Sequence, residues 1–285
     1  MGRGIAYNFL AAGRPVALVD VDSATLDSAA GDIASMFDAA VQRGKIAQDD
    51  LPELSQVLQC HESLGDFVGD TGLLIETATE DLEIKKKILS QASTLAPAST
   101  LFATNTSALS ITEIGSSVAD PSRLVGMHFF NPVHKMKLVE LVRGLQTSDE
   151  ALNEALAWLE STGKATIVVN EMPGFTTSRM SALMGNEAMY MLAEGVASAE
   201  DNDTSQKVAF NDPMGPLELG DITGWDTRLR VLKYLHQVYG KKFRPCTLIE
   251  KMVKAGSSGR KSGRGVYAFV AEGRRVPDSG LRASL

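Results

Sequence analysis

The chain has 285 residues, 44% hydrophobic and 22% charged, with a mean hydropathy of -0.03; that suits about two globular domains and excludes a small binding module, a disordered or collagen-like chain and a multi-span membrane protein. With 28 basic against 35 acidic residues the formal charge is -7 and the pI near 5.2, which argues against a general polyanion-binding surface and hence against nucleic acid as a partner. Cys60 and Cys246 lie far apart, outside any CxxC or CxxH spacing, so neither a disulfide framework nor a metal site is expected and a reducing, cytoplasmic compartment fits.

The opening MGRGIAYNFLAAGRP places Arg3 before an apolar stretch, but Asn8 interrupts it and Arg14 follows too soon for a signal peptide. No apolar run approaches the ~20 residues of a membrane span. Instead Gly2-x-Gly4-Ile-Ala, a helix to Gly13 and a VALVD strand ending at Asp20 read as a dinucleotide-binding unit entered late. In such units an acid at the end of the second strand binds the adenine ribose hydroxyls and repels the extra phosphate of NADP, so Asp20 points to NAD; an ordinary strand-terminal acid fits the same residues. The fingerprint's first strand and first two glycines are not in the sequence. Their loss leaves unpaired edges on both neighbouring strands and removes amides that face the pyrophosphate, so the expectation is either a longer native chain or compromised cofactor binding.

Further along, β-branched runs at 16–20, 73–77, 101–104, 124–128, 138–142 and 165–169 alternate with helical stretches, the pattern of a parallel sheet with covering helices. The helix at 81–95 places Leu82, Ile84, Ile88, Leu89 and Leu95 near one face with its three lysines outward. Ser110 with Glu113 three residues on reads as a capping box, and another helix covers 149–162. After Met172-Pro173-Gly174 the strand signals stop, and helices are expected at 177–194, 199–210, 226–239 and 248–255. The fold class is therefore α/β: a Rossmann-like domain over residues 1–171, expected without its first strand, then an all-helical domain over 172–285. MSALMGNEAMYML reads as packing or a dimer contact, and the stretch from Ala271 as loose.

The densest chemistry lies between Asn105 and Glu140, in NTSALSI and GMHFFNPVHKMKLVELV. Glu140 stands among Leu138, Val139, Leu141 and Val142, and a carboxylate so flanked is costly to bury without a partner. His128 is the natural one: the pair holds the imidazole in one tautomer and stabilises the imidazolium, as a general base requires. On these residues alone, a satisfied core histidine and a solvent-facing strand acid fit as well.

MGRGIA, NTSALSITEI, GMHFFNP, MKLVELVRG, PGF, DPMGPLEL and GRKSGRGVY run the length of the chain and resemble the short-chain L-3-hydroxyacyl-CoA dehydrogenases, above all the bacterial 3-hydroxybutyryl-CoA dehydrogenases. The resemblance implies an NAD-dependent oxidoreductase that interconverts 3-hydroxyacyl-CoA and 3-oxoacyl-CoA as a homodimer through its helical domain. It implies His128 as general base, Glu140 as its orienting acid and Ser107 as the contact to the substrate oxygen. It places Asn105 at the nicotinamide, and Gly2, Asp20, Glu80 and Lys85 at the cofactor. Asn131 reads as a hydrogen-bond partner beside the histidine or as a turn residue before Pro132. Many relatives carry asparagine four residues after PG; here Ser178 stands there and can still donate to substrate. His134 and Lys135 depart from the apolar residues usual after HFFNPV, and Lys135 suits either a solvated surface or a coenzyme A phosphate. Two rivals remain open: a related dehydrogenase of a hydroxy acid without coenzyme A, such as carnitine or a sugar acid, and a non-catalytic relative.

Overall fold

Helix α1 (Gly2–Ala11) buries Ile5, Ala6, Phe9 and Leu10 and leads through Gly13 into β1 (Val16–Val19). The computed structural model describes residues 1–51, 53–66 and 70–282. Helix α2 (Ser23–Gln42), not expected from the sequence, is capped by Asp22, whose side chain accepts from the Ala24 amide, and buries Leu26, Ile33, Phe37 and Ala40. That spacing is helical, but the many small residues between those four mask it. A short α3 (Leu54–Val57) precedes β2 (Leu58–His61), also unexpected because Leu-Gln-Cys-His contains no β-branched residue.

The strands β3 (Leu73–Glu76), β4 (Leu101–Thr104), β5 (Leu124–Phe129), β6 (Leu138–Arg143) and β7 (Ala165–Asn170) form one sheet in chain order, while β1 and β2 form a separate parallel pair. Among the described residues no ladder joins β1 to β3. The expectation of a parallel sheet is corrected at one point: β5 and β6 are antiparallel. Only residues 130–137 separate them, too few for the dozen or more that a parallel crossover needs.

Helix α4 (Leu82–Leu95) is capped by Asp81, which accepts from the Ile84 amide, and turns Lys85, Leu89 and Ala92 inward. This corrects the expectation of three outward lysines, since Ile84 is exposed and Lys85 is buried. Helix α5 (Ile111–Gly115) starts at Ser110, whose Oγ accepts from the Glu113 amide and donates to Glu171; Glu171 also accepts from the amide and hydroxyl of Thr112. Helix α6 (Asp149–Glu160), capped by Ser148, supplies the β6-to-β7 crossover and packs Ala151, Leu152, Ala155 and Leu159 on the sheet.

The chain divides into two units, Met1–Phe175 and Thr176–Leu285. The division falls later than the break expected near Glu171 because Phe175 packs into the first unit's core. The second unit holds α7 (Thr177–Ala193), α8 (Ala199–Ala209), α9 (Pro216–Thr223), α10 (Trp225–Tyr239) and α11 (Thr247–Lys254) around Met189, Leu217, Trp225, Leu232 and Leu235. Helix α9, not expected from the sequence, begins with Pro216 after Gly215, and Asp203 of α8 accepts from its Leu217 and Glu218 amides. The stretch expected to be loose from Ala271 is pinned through Leu281, whose amide donates to Val266, and Gly280, whose amide donates to Glu200; residues 283–285 lie outside the described residues. Among the described residues no helix is long and apolar enough to cross a membrane.

Candidate active site

The antiparallel β5–β6 pair sets His128 directly opposite Glu140, so their side chains share one face of the sheet. Nδ1 of His128 lies 2.7 Å from Oε2 of Glu140. Glu140 is 0% and His128 8% exposed. A carboxylate only accepts, so Nδ1 carries the shared hydrogen and the neutral ring keeps its lone pair on Nε2. Nε2 has no hydrogen-bond partner among the described residues. The rings of Phe130 and Phe175 stand 4.5 and 5.8 Å from the imidazole, leaving it an apolar surround.

Asn105 follows β4, and its Oδ1 accepts from the Phe129 amide at 2.9 Å, fastening that turn to the strand that carries His128. Two residues on, Ser107 donates its amide (2.9 Å) and its hydroxyl (3.1 Å) to Oε1 of Glu80. The Thr106 hydroxyl donates to the same oxygen at 2.7 Å. Glu80 therefore sits under the Ser107 turn.

Lys85, expected beside the cofactor, has a fully buried side chain whose ammonium lies 2.9 and 3.0 Å from the Glu76 carboxylate oxygens and 3.8 Å from Glu80. An ammonium without solvent needs such partners, which is why it turns inward. Asn131, which precedes Pro132, is exposed and makes no hydrogen bond to His128. Ser178 lies in the first turn of α7, in the second unit. His134 is held below its ordinary value, first by burial and then by the charges of Lys135, Arg43, Lys164 and Lys45.

Gly2 and Asp20 suit parts of a dinucleotide. Helix α1 has no side-chain cap, which leaves its first amides available to an anion, and a Cβ on Gly2 would stand 2.8 Å from Thr77 Oγ1. One oxygen of Asp20 accepts from the Asp22 amide, and the other has no partner among the described residues. Amides for a pyrophosphate and a carboxylate for ribose hydroxyls are the donor set such a group needs. Among the described residues no group of three or more His, Cys, Asp or Glu is placed to hold a metal.

Glu76, Thr104, Thr106 and Phe175 were given no role from the sequence, although Thr106 stands in NTSALSITEI and Phe175 in PGF. Glu76 was nonetheless signalled, since a carboxylate ending the apolar run Leu73-Leu74-Ile75 calls for a partner by the reasoning that singles out Glu140. For Phe175 the only signal was its place in PGF, which says nothing of packing against the imidazole.

Residues 1–172 match the family described as 3-hydroxyacyl-CoA dehydrogenase, NAD binding domain, and residues 174–269 match its C-terminal domain. The chain is 38% identical over 270 residues to a probable 3-hydroxybutyryl-CoA dehydrogenase of Bacillus subtilis (strain 168), covering 94% of each. It is 37% identical, over 94% of this chain and 92% of the relative, to the 3-hydroxybutyryl-CoA dehydrogenase of Bradyrhizobium diazoefficiens. In structure it is similar to the (S)-3-hydroxybutyryl-CoA dehydrogenase of Ralstonia eutropha, with a TM-score of 0.91 and 39% identity over 95% of each chain.

Proposed function

This chain belongs to the 3-hydroxyacyl-CoA dehydrogenase family and carries that family's NAD-binding domain, and on that premise we propose that it interconverts (S)-3-hydroxybutyryl-CoA and acetoacetyl-CoA with His128 as general acid and base. The observation that carries this reading is the imidazole bonded to Glu140 through Nδ1, with Nε2 unpartnered among the described residues. When bound, NAD supplies the acceptor for the hydride leaving C3 of the substrate. Nε2 of His128 takes the hydroxyl proton from the oxygen on that carbon, and returns it in the reductive direction. Glu140 holds the tautomer and offsets the charge of the imidazolium that forms. The Ser107 hydroxyl turns its single hydrogen from Glu80 to the substrate oxygen, while Asn105, and Glu80 still bonded to the Ser107 amide and the Thr106 hydroxyl, fix the turn that presents it. The α1 amides at Gly2 and the Asp20 carboxylate hold the pyrophosphate and adenine ribose.

Ser178, on the second unit, is a further donor to substrate. A homodimer through the helical unit fits the exposed Met180 and Met184 on α7, a reducing, cytoplasmic compartment fits the isolated Cys60 and Cys246, and fatty acid metabolism fits the family's acyl-CoA chemistry.

NADH oxidation with acetoacetyl-CoA, run beside free acetoacetate, tests the reading. Turnover is expected on the thioester and not on the free acid, and His128→Ala should cost about 100-fold to 10,000-fold in kcat while keeping the fold. Undiminished turnover in that variant overturns the assignment of His128, and equal rates on free acetoacetate overturn the coenzyme A substrate.

A further inference from the structure

Glu76 closes β3 with a side chain that is 1% exposed, and every acceptor position of its carboxylate is engaged. Oε1 accepts from the Ala78 amide at 2.6 Å and from Lys85 Nζ at 3.0 Å, and Oε2 accepts from the Thr104 hydroxyl at 2.6 Å and from Lys85 Nζ at 2.9 Å. Bonds from three separate segments fix this carboxylate, and it in turn fixes the ammonium. Lys85 Nζ also reaches the Ala78 carbonyl at 3.4 Å and Oε2 of Glu80 at 3.8 Å.

One buried ammonium thus stands between two carboxylates of different character. Glu76 is sealed, whereas the Glu80 side chain is 42% exposed and free to swing if nothing holds it. Its other oxygen accepts from three donors of the turn that carries Ser107, the Thr106 hydroxyl and the Ser107 amide and hydroxyl. The contacts run in series: Thr104 to Glu76, Glu76 to Lys85, Lys85 to Glu80, Glu80 to Ser107. A buried ion pair is poor value as a stabiliser alone, since desolvation offsets most of the attraction; fixing geometry is the better-attested use of one.

We propose that Glu76 is a positioning residue for the dehydrogenase reaction, which through Lys85 and Glu80 sets the place of the Ser107 hydroxyl at the substrate oxygen. The inference rests on the reading of Ser107 given above. Removing the Glu76 charge leaves the Lys85 ammonium to be shared differently between the two acids, and Glu80 shifts with it. A displacement on the order of 1 Å at a reacting oxygen costs up to about a hundredfold in rate.

A double-mutant cycle with two readouts provides the test, using the full chain as Glu76→Gln, Ser107→Ala and both together. Glutamine keeps the size and the acceptor for Thr104 while removing the charge. Glu76→Gln should lower kcat on acetoacetyl-CoA about tenfold to a hundredfold with little change in KM, and should cost less than about twofold once Ser107 is already alanine. Additive losses, or an unchanged kcat in a folded Glu76→Gln protein, overturn the inference. Should that variant fail to fold, Thr104→Val, which removes one hydroxyl from Glu76, takes its place in the cycle with an expected loss of about threefold, and additivity there overturns the inference equally. The second readout needs no turnover: exchange of the Ser107 amide hydrogen, donated to Glu80, should speed up about tenfold in Glu76→Gln. Unchanged exchange overturns the inference. A parent chain inactive on acetoacetyl-CoA overturns the reading of the site instead, and the exchange rate then decides the Glu76 linkage by itself.

Discussion

His128 owes its chemistry to one hydrogen bond. With Nδ1 committed to Glu140 at 2.7 Å, the ring can exchange a proton only through Nε2. Glu140→Gln keeps a hydrogen-bonding group of the same size but removes the charge that offsets the imidazolium, so kcat should fall by at least about tenfold, with the loss seen in kcat more than in KM. Steady-state kinetics on acetoacetyl-CoA measures this, and an unchanged kcat would show that the carboxylate charge plays no part. His134 is a histidine of another kind. Its pKa lies below 6.5, through burial first and then the positive charges of Lys135, Arg43, Lys164 and Lys45. A group depressed in the folded state contributes stability above its unfolded pKa and loses it as pH falls through the folded value. His134→Asn should therefore lose less stability than the parent between about pH 7 and about pH 5, as read by urea midpoints at each pH.

At the scale of elements, the β5–β6 hairpin is the piece on which the site is built, and its register decides which side chains meet. Gly126 pairs with Val142 in that ladder, and a Cβ placed on it would lie 2.8 Å from both Ile111 Cδ1 and Val142 Cβ. Gly126→Ala should destabilise the protein by about 1–3 kcal/mol through overpacking, and Ile111→Val, which removes the nearer methyl, should restore part of it. Chemical denaturation of the two single variants and the double decides between that and a tolerant sheet. The same α5 is held at its start by Glu171, which takes the Ser110 hydroxyl and both donors of Thr112. None of that is visible in the SITE motif, because the partner lies across the fold.

For the whole molecule, the match of residues 1–172 to an NAD-binding domain predicts that NAD raises the melting temperature of the full chain. A ligand at a hundredfold its Kd adds about 2.7 kcal/mol. NADP at the same concentration should add clearly less, because the Asp20 carboxylate meets its extra phosphate. Thermal melts with each nucleotide check both, and equal shifts would remove Asp20 from the discrimination. Much of this organisation was legible beforehand: five strands of the main sheet, the change to helices beyond Glu171, and His128 and Glu140 as a pair worth attention. Helix α2 was not, because Ser, Ala and Asp dilute its apolar spacing, and β2 was not, because its residues have no strand preference of their own.

The sequence by itself determined the residue types, their order and the family, since HFFNP followed by KLVELV is a resemblance carried by the residues alone; that His128 and Glu140 face each other was decided by the antiparallel register of β5 and β6. Tertiary structure decided which groups face one another across distance. Lys85 looked like one of three outward lysines, and it is buried because Glu76, nine positions earlier on a neighbouring strand, offers the charge that makes burial tolerable. Helical periodicity describes only a face, and it carries no information about a partner that waits on another element.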